Sequence, residues 1–179
     1  MALSEMEEMV ILVNEADEVI GIAKKTQAHE NCALHRAFSI FVFNSKRELL
    51  IQKRAMAKYH SASLWSNTCC GHPRPDESVE EAAHRRLKEE LGFDCALRPA
   101  FSFTYKAIVN ANLFEHEYDH VLIGISDQQP TPNPSEVDDW MWINPDRLKT
   151  DIQEHSDMYT CWLKLSLERT LETFEVWLT

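Results

Sequence analysis

Two adjacent thiols open the part of the chain that is richest in reactive groups. Cys69 and Cys70 lie in the stretch SNTCCGHP and are followed at once by Gly71 and His72. Neighbouring side chains in an extended segment point to opposite sides, so the two thiols predict two different tasks rather than one bridge. We expect Cys69 to be a small buried apolar residue and Cys70 to face a ligand, two residues before a candidate metal ligand.

A long pattern with fixed offsets begins at Gly71 and reads G-x5-E-x7-R-x-L-x-E-E-x-G-F. Its defined positions are Gly71, Glu77, Arg85, Leu87, Glu89, Glu90, Gly92 and Phe93. On a helix, each of two adjacent arginines, Arg85 and Arg86, stands one turn before a glutamate and can pair with it. A solvated helix with ion pairs would explain the charges alone. The flanking glycines and Glu77 favour a Mg²⁺ site, because Mg²⁺ takes a few carboxylates together with phosphate oxygens.

Other residues of metal-binding type lie outside this pattern. They are His29, His35, His72, Glu115 and Glu117. Glu115 and Glu117 would project from the same face of a strand. Imidazole and carboxylate donors together suit Zn²⁺, Mn²⁺ or Mg²⁺. The spacing leaves open whether the five residues converge, since a histidine or glutamate on a strand is often only exposed.

Composition limits the classes of partner. The chain has 179 residues and a formal net charge of −11. Such a charge disfavours nucleic acid and anionic membranes as partners, and an anionic small molecule would need a local cluster of bases or metal ions. The acidic start, the short apolar runs and five scattered cysteines predict a cytoplasmic protein with free thiols and no membrane span. We expect a monomer.

Periodicity predicts the elements that must position these groups. We expect strands at 9–13, 19–23, 36–44, 48–54, 100–108, 113–126 and 138–144, a short strand leading into a loop over 64–72, and helices at 78–91, 145–152 and 157–178. Residues 55–63 and 127–134 are predicted loops. Ser78 and Glu81 form a capping box, and Gly92 stands where a left-handed C-cap belongs. The fold class is α/β (α+β): one domain over 1–179, with a mixed sheet flanked by helices that follow runs of antiparallel strands.

The pattern that begins at Gly71 closely resembles the Nudix box, a loop–helix–loop that holds divalent metal against a diphosphate. Arg86 departs from it, since that family usually has glutamate there. An arginine in place of an acid removes a metal ligand and adds a phosphate clamp, which favours holding a diphosphate intact. Together with HENCALH (29–35) and EHE (115–117), the chain resembles type I isopentenyl-diphosphate isomerase from about Met9 to the final helix.

The resemblance implies roles for individual residues within a Nudix-like sheet. The residues that hold one ion, Mn²⁺, Zn²⁺ or Mg²⁺, are His29, His35, His72, Glu115 and Glu117. Glu90 and the backbone carbonyl of Cys70 match a second site, where Mg²⁺ also binds the substrate diphosphate. The bases that grip the diphosphate are Lys25, Arg54, Lys58 and Arg86. The catalytic residues are Cys70, Glu117, Tyr105 and Trp162.

The implied reaction interconverts isopentenyl and dimethylallyl diphosphate, a step of isoprenoid precursor synthesis, through a carbocation-like intermediate. The resemblance favours protonation from the side of Glu117 and Tyr105 and deprotonation by Cys70, although the residues alone leave that order open. One alternative is a Nudix pyrophosphohydrolase acting on a nucleoside diphosphate derivative. Another is a metal-dependent module that binds diphosphate for regulation and catalyses nothing.

Overall fold

The computed structural model describes residues 8–110 and 112–178. Within those ranges the strands are β1 (Met9–Val13), β2 (Val19–Lys24), β3 (His35–Phe43), β4 (Leu49–Arg54), β5 (Trp65–Ser66), β6 (Cys69–Gly71), β7 (Leu97–Asn110), β8 (Leu113–Ile125) and β9 (Val137–Ile143). The helices are α1 (Lys25–Glu30), α2 (Val79–Leu91), α3 (Pro145–Glu154) and α4 (Cys161–Trp177). The predicted strands, the helix at 78–91 and the loop character of 55–63 and 127–134 are confirmed to within a few residues.

All described strands join one sheet, with β3 at its centre. The order β2-β1-β3-β4-β5 forms one path, while β6 and β8 also pair with β3, β7 pairs with β8, and β9 pairs with β4. The pairing of β3 with β8 is parallel over the whole length of β3. The sequence predicted runs of antiparallel strands, and this parallel pair is the departure. It joins strands that are about 80 residues apart (His35 lies opposite Glu117), so no local turn signal announces it.

Strand β3 separates two apolar layers, and its side chains alternate between them. Phe38, Ile40 and Val42 pack towards α2, whereas Phe41 and Phe43 pack towards α4. From α2 the first layer receives Ala82, Ala83, Leu87 and Leu91, and from α4 the second receives Leu163, Leu167 and Phe174. Burial on both faces explains why β3 is a nearly continuous apolar run.

Helix α2 forms as its sequence predicts. The Ser78 side chain accepts from the Glu81 backbone and the Glu81 side chain accepts from the Ser78 backbone, which confirms the capping box. Gly92 ends the helix with φ of 71°, and an added Cβ would lie 2.6 Å from the carbonyl oxygen of Thr131. Only glycine fits both the left-handed backbone and this close approach.

Two features at the helices differ from the expected pattern. Helix α1 was not predicted, because its six residues are too few for a helical period to show. The final helix begins at Cys161 rather than at 157, since Ser156–Met158 form a 3₁₀ turn before it. Among the described helices, none is both long and apolar enough to cross a membrane.

Candidate functional site

A cavity of about 900 Å³ opens between the sheet, α2 and the loop that joins β4 to β5. Its walls include most of the residues that the sequence singled out: Lys25, Arg54, Lys58, Cys70, His72, Arg86, Glu90, Tyr105, Glu115, Glu117 and Trp162. The two remaining ones, His29 and His35, are almost fully buried and lie against this wall. The fold therefore brings the whole predicted set together.

Strand register explains how distant residues meet. His35 on β3 lies opposite Glu117 on β8, and Glu117 lies opposite Tyr105 on β7, so the three form a row across the sheet. On the other side Cys70 of β6 lies opposite Ser39, which is four residues beyond His35 and on the same face. Cys69 points to the other face and is fully buried in the layer under α2, which confirms its expected place in the core.

One side of the cavity is a cluster of imidazoles and carboxylates, which we call the histidine half: His29, His35, His72, Glu115 and Glu117. Donor atoms from His29, His35, His72 and Glu117 all lie within 4.8 Å of one another. His72 Nε2 is 2.9 Å from Glu117 Oε1. Glu115 Oε2 is 3.4 Å from His29 Nε2, at the edge of the same cluster. These distances are compatible with donors that surround a single ion.

Several of these buried atoms have no hydrogen-bond partner within the described part of the chain. They are His29 Nε2, His35 Nε2, His72 Nδ1 and Glu115 Oε2. Leaving a buried polar atom unpaired costs about 1–3 kcal/mol, so four in one place call for a common partner. Lone pairs from imidazole and carboxylate facing one another fit a divalent cation, and we conclude that the histidine half can hold one.

The protonation states of two imidazoles and of Glu117 agree with that conclusion. Burial, and then the nearby charge of His72, lowers the pKa of His29 to about 2 and that of His35 to about 4. Both rings are therefore neutral near pH 7 and keep a lone pair for a metal. Burial and the charge of Glu117 raise the pKa of Glu115 well above its usual range. Burial opposes ionisation of Glu117 as well, but the hydrogen bond and charge of His72 hold the pKa of Glu117 below its usual range.

The opposite side of the cavity, which we call the cation half, contains Lys25, Arg54, Lys58 and Arg86 together with the acids Glu90 and Glu136. Arg86 contacts Glu90 and lies 3.1 Å from Glu136, which also contacts Lys58. Burial opposes ionisation of Glu90, yet the charges of Arg86 and Lys58 lower its pKa, so it is a carboxylate. Glu90 also accepts a hydrogen bond of 2.7 Å from Gln52 Nε2, which orients it.

Arg54 of the cation half packs against Trp162, and both side chains line the cavity. The Arg54 guanidinium donates to the backbone carbonyls of His60 and Ser61, both at 3.2 Å, and lies 5.3 Å from the centre of the Trp162 ring. The Trp162 indole N–H donates to Ser66 Oγ at 2.9 Å, which sets the orientation of the ring. An indole fixed in this way presents an electron-rich face to a cation.

Lys25, a member of the cation half, and Arg85, which lies outside it, pair with acids other than Glu90 and Glu136. Lys25 lies 3.1 Å from Glu8 at the cavity wall. Arg85, the neighbour of Arg86, donates to both carboxylate oxygens of Glu77 at 2.7 Å. This bidentate pair joins α2 to the loop that precedes it. Arg85 therefore stabilises the position of the loop that contains Glu77 relative to α2.

The thiol and the phenol that face the cavity both retain their protons. Burial raises the pKa of Cys70 to about 12, and the positive charge of Arg54 offsets only part of that effect. Burial and the charge of Glu117 raise the pKa of Tyr105 well above its usual range. The Tyr105 hydroxyl donates to Glu117 Oε2 at 2.6 Å. A chain of groups able to exchange a proton therefore runs from Tyr105 to the histidine half.

Sequence reasoning missed Glu136 in the cation half and, beside the histidine half, the adjacent residues Tyr59 and His60. Tyr59 and His60 lie in the loop between β4 and β5, which was predicted only as a loop. The Tyr59 hydroxyl contacts His29 Nδ1, and His60 Nε2 is 3.2 Å from Glu115 Oε1. The signal that could have identified them is their position directly after Lys58, a residue already placed at the cavity.

Comparison with known proteins agrees with this architecture. A NUDIX domain model matches residues 33–163. The chain is 51% identical over 166 residues to isopentenyl-diphosphate Delta-isomerase 2 of Aromatoleum aromaticum, covering 93% of this chain and 88% of that protein. It is 54% identical over 159 residues to the isopentenyl-diphosphate Delta-isomerase 2 of Photorhabdus laumondii, covering 89% and 90%. Among solved structures, DR0079 of Deinococcus radiodurans superimposes with a TM-score of 0.68 at 26% identity, covering 82% and 90%.

Proposed function

Since the chain belongs to the isopentenyl-diphosphate Delta-isomerase family of NUDIX-domain proteins, we propose that its cavity interconverts isopentenyl and dimethylallyl diphosphate. The enzyme is an isomerase of isoprenoid precursor synthesis. The observation that carries the proposal is the single cavity that a partly buried thiol, Cys70, and a buried carboxylate, Glu117, share with four basic side chains. A hydrolase would have no use for the thiol.

The reaction moves a double bond by one carbon and leaves the diphosphate untouched. An unactivated alkene must gain a proton at its terminal carbon and lose one from the carbon on the other side of the branch point. The intermediate has the character of a tertiary carbocation. Water must be kept away from it, since hydration would trap it as an alcohol. The site therefore needs two proton-exchanging groups, a dry wall and a source of negative electrostatic potential that does not react.

Cys70 and Glu117 supply the two proton-exchanging groups. In the direction that the family favours, the Tyr105 hydroxyl, which donates to the Glu117 carboxylate, passes a proton to the terminal carbon, and Cys70 removes a proton from the chain as its thiolate. This direction requires Cys70 to reach the thiolate form against the effect of burial, and the positive charge of Arg54 favours that form. The proton count balances, because one proton enters the substrate and one leaves it. After one turnover Cys70 has gained a proton and the pair of Glu117 and Tyr105 has lost one. Proton exchange with solvent restores both. The reverse reaction exchanges the donor and acceptor roles.

The histidine half fits a divalent cation, and His29, His35, His72, Glu115 and Glu117 would hold it; Mn²⁺, Zn²⁺ and Mg²⁺ are the ions proposed. Such a cation, when bound, would neutralise the two carboxylates and set the proton affinity of Glu117. His72 orients the carboxylate of Glu117 through a contact of 2.9 Å to Oε1, and His35 Nε2 lies 3.7 Å from the same oxygen. The other oxygen, Oε2, is thereby directed to Tyr105.

The cation half binds the diphosphate. Lys25, Arg54, Lys58 and Arg86 provide the positive charge that an anionic substrate needs in a protein of net charge −11. Glu90, with the backbone carbonyl of Cys70, would hold the Mg²⁺ that accompanies the diphosphate. Arg86 replaces an acid of the hydrolytic pattern, so the site grips the phosphates and lacks one of the acids that gather metal for cleavage.

Trp162 stabilises the developing positive charge. Its ring is 4% exposed and is fixed through its N–H, so its face lies in a region from which water is largely removed. A cation over an indole gains about 2 kcal/mol or more when it is desolvated. An indole does not readily react with a carbocation, so Trp162 can stabilise the intermediate without forming a bond to it.

The proposed setting is a cytoplasmic monomer without a nucleic-acid partner.

The decisive experiment is incubation of the protein with isopentenyl diphosphate and divalent metal in heavy water. We expect dimethylallyl diphosphate that contains deuterium at the new methyl group, with no phosphate or pyrophosphate released. Release of phosphate without isomer would favour the pyrophosphohydrolase. Binding of the diphosphate without either product, unaffected by Cys70→Ala, would favour a regulatory module.

A further inference from the structure

Tyr59 and His60, adjacent residues of the loop between β4 and β5, touch two different members of the histidine half. The Tyr59 hydroxyl contacts His29 Nδ1, and His60 Nε2 lies 3.2 Å from Glu115 Oε1. The His60 side chain is only 6% exposed. Both contacts fall on the atoms of His29 and Glu115 that face away from the unpartnered ones.

The contact at His29 decides which of its nitrogens carries the proton. A neutral imidazole has one N–H and one lone pair. If Nδ1–H donates to the Tyr59 oxygen, the lone pair remains on Nε2. That atom is buried, has no hydrogen-bond partner within the described residues, and faces Glu115 Oε2 at 3.4 Å. In that arrangement the Tyr59 hydroxyl selects the tautomer that can bind a cation.

The contact at Glu115 acts in the same way on a carboxylate. His60 Nδ1 lies 3.3 Å from Ser61 Oγ, which can donate to it and leave the proton on Nε2. His60 Nε2–H then donates to Glu115 Oε1. The other oxygen, Oε2, stays directed at His29 Nε2 without a partner in the described part of the chain. The two contacts therefore aim one lone pair each at the same point.

On the basis of the function proposed above, we propose that Tyr59 and His60 are positioning residues for the ion of the histidine half. They hold the His29 ring and the Glu115 side chain in the orientation that directs their unpartnered atoms at it. Their loop also contains Lys58 and follows Arg54 directly, so the segment that orients the metal ligands also carries bases of the cation half. Hydrogen-bonding partners of this kind change metal affinity by about 10–100-fold in other proteins.

A packing role must be separated from a positioning role, because His60 also packs edge-on against Trp162 at 6.2 Å and against Tyr59 at 4.4 Å. Tyr59→Phe removes one oxygen and keeps the ring. His60→Leu removes the donor, whereas His60→Gln can restore an N–H near the position of Nε2. Tyr118→Phe is the matched control, since Tyr118 lies on the same sheet and its hydroxyl bonds only weakly to Ser102, at 3.3 Å.

The measurement is the dissociation constant for Co²⁺, followed by visible absorption of the bound ion in the absence of diphosphate. We expect it to rise about 10–100-fold in Tyr59→Phe and in His60→Leu. His60→Gln should recover most of the affinity, and Tyr118→Phe should bind as the wild type does. Thermal melts show whether Tyr59→Phe and His60→Gln fold as the wild type does. If a folded Tyr59→Phe variant binds Co²⁺ with wild-type affinity, the proposed role of Tyr59 at His29 is overturned. Equal weakening in His60→Gln and His60→Leu overturns it at Glu115.

Failure of this inference is distinguishable from failure of the proposed function. If His60→Leu does not fold, Tyr59→Phe and His60→Gln still decide the question by metal affinity. A wild-type protein that yields no dimethylallyl diphosphate would remove the proposed function, while the Co²⁺ affinities would still test the two contacts. An active isomerase whose variants bind Co²⁺ unchanged would keep the function and remove the inference.

Discussion

The two halves of the cavity solve opposite electrostatic problems. In the histidine half, buried donors such as His29 Nε2 and Glu115 Oε2 face one another without a partner in the described structure. In the cation half, Arg86 and Lys58 are already in contact with Glu136, and Arg86 also contacts Glu90. One half is short of positive charge, and the other holds positive charge that is paired within the protein.

This difference has a structural origin and a functional consequence. The histidine half stands largely on strands β3 and β8, with His72 directly after β6 and His29 on α1. The register of these strands is held by the sheet, so the geometry of this half is set when the protein folds. The cation half takes Arg86 and Glu90 from α2, Lys58 and Glu136 from loops, Lys25 from the start of α1 and Arg54 from the end of β4. Its ion pairs join side chains at the ends of elements or on loops, so an anionic ligand can replace one partner. We therefore expect changes in the histidine half to act on kcat and metal content, and changes in the cation half to act on KM.

The largest effect is expected for Glu117→Gln, which alters a residue that we propose both as a metal ligand and as a proton carrier. Loss of the proton carrier alone should lower kcat by about 10²–10⁴-fold. Metal affinity should also fall, because a neutral amide replaces a carboxylate. Rate measurements with isopentenyl diphosphate and metal analysis of the purified protein test both. The exposed Glu168→Gln on α4 is the control and should change neither. Full activity would remove Glu117 from the mechanism.

Replacing the thiol should separate chemistry from metal binding. In Cys70→Ala we expect kcat to fall by about 10²–10⁴-fold, because one of the two proton-exchanging groups is gone. Metal content should be retained. Cys69→Ala, one residue away but in the core, should keep kcat and lower the melting temperature by about 2–4 °C for a loss of ~1 kcal/mol. If both variants lost activity equally, the division of labour between the thiols would be wrong.

Adjacent arginines test the cation half. Arg86→Gln removes a charge-assisted hydrogen bond to the diphosphate, worth about 1.5–3 kcal/mol, so KM should rise about 10–100-fold with a smaller change in kcat. Arg85→Gln should leave KM nearly unchanged and instead lower the melting temperature, because its bidentate pair with Glu77 joins α2 to the preceding loop. Steady-state kinetics and thermal melts distinguish the two. A raised KM in the Arg85 variant and not in the Arg86 variant would reverse the assignment.

The smallest effect concerns Glu136, which contacts Lys58 and Arg86 and, under the proposed function, would compete with the diphosphate for them. Glu136→Gln should tighten binding of inorganic pyrophosphate by about 2–5-fold, the size expected for a partly exposed charge. Asp139→Asn on β9 carries the same change of charge at an exposed position and is the control. Isothermal titration calorimetry compares the two. Weaker binding in the Glu136 variant would mean that this acid organises the bases rather than competing for them.

The sequence predicted the family, the fold class and the isomerase activity, and the comparisons confirm them. Helix α2 was predictable in detail, because its caps and its arginine–glutamate spacing are local signals. The residue roles at the site stay predictions. The contacts of Tyr59 and His60 were not predictable, since a loop has no period from which the direction of a side chain follows.

The amino-acid sequence by itself determined the elements with a short repeat: the strands, the helix of the glutamate pair, and the shared face of Glu115 and Glu117. Only the tertiary structure decided which of these meet. The parallel pairing of β3 with β8 places His35 beside Glu117, and the pairing of β3 with β6 brings Cys70 to the same face. Periodicity reports the environment of one segment, whereas hydrogen bonds between distant strands depend on how the whole chain packs.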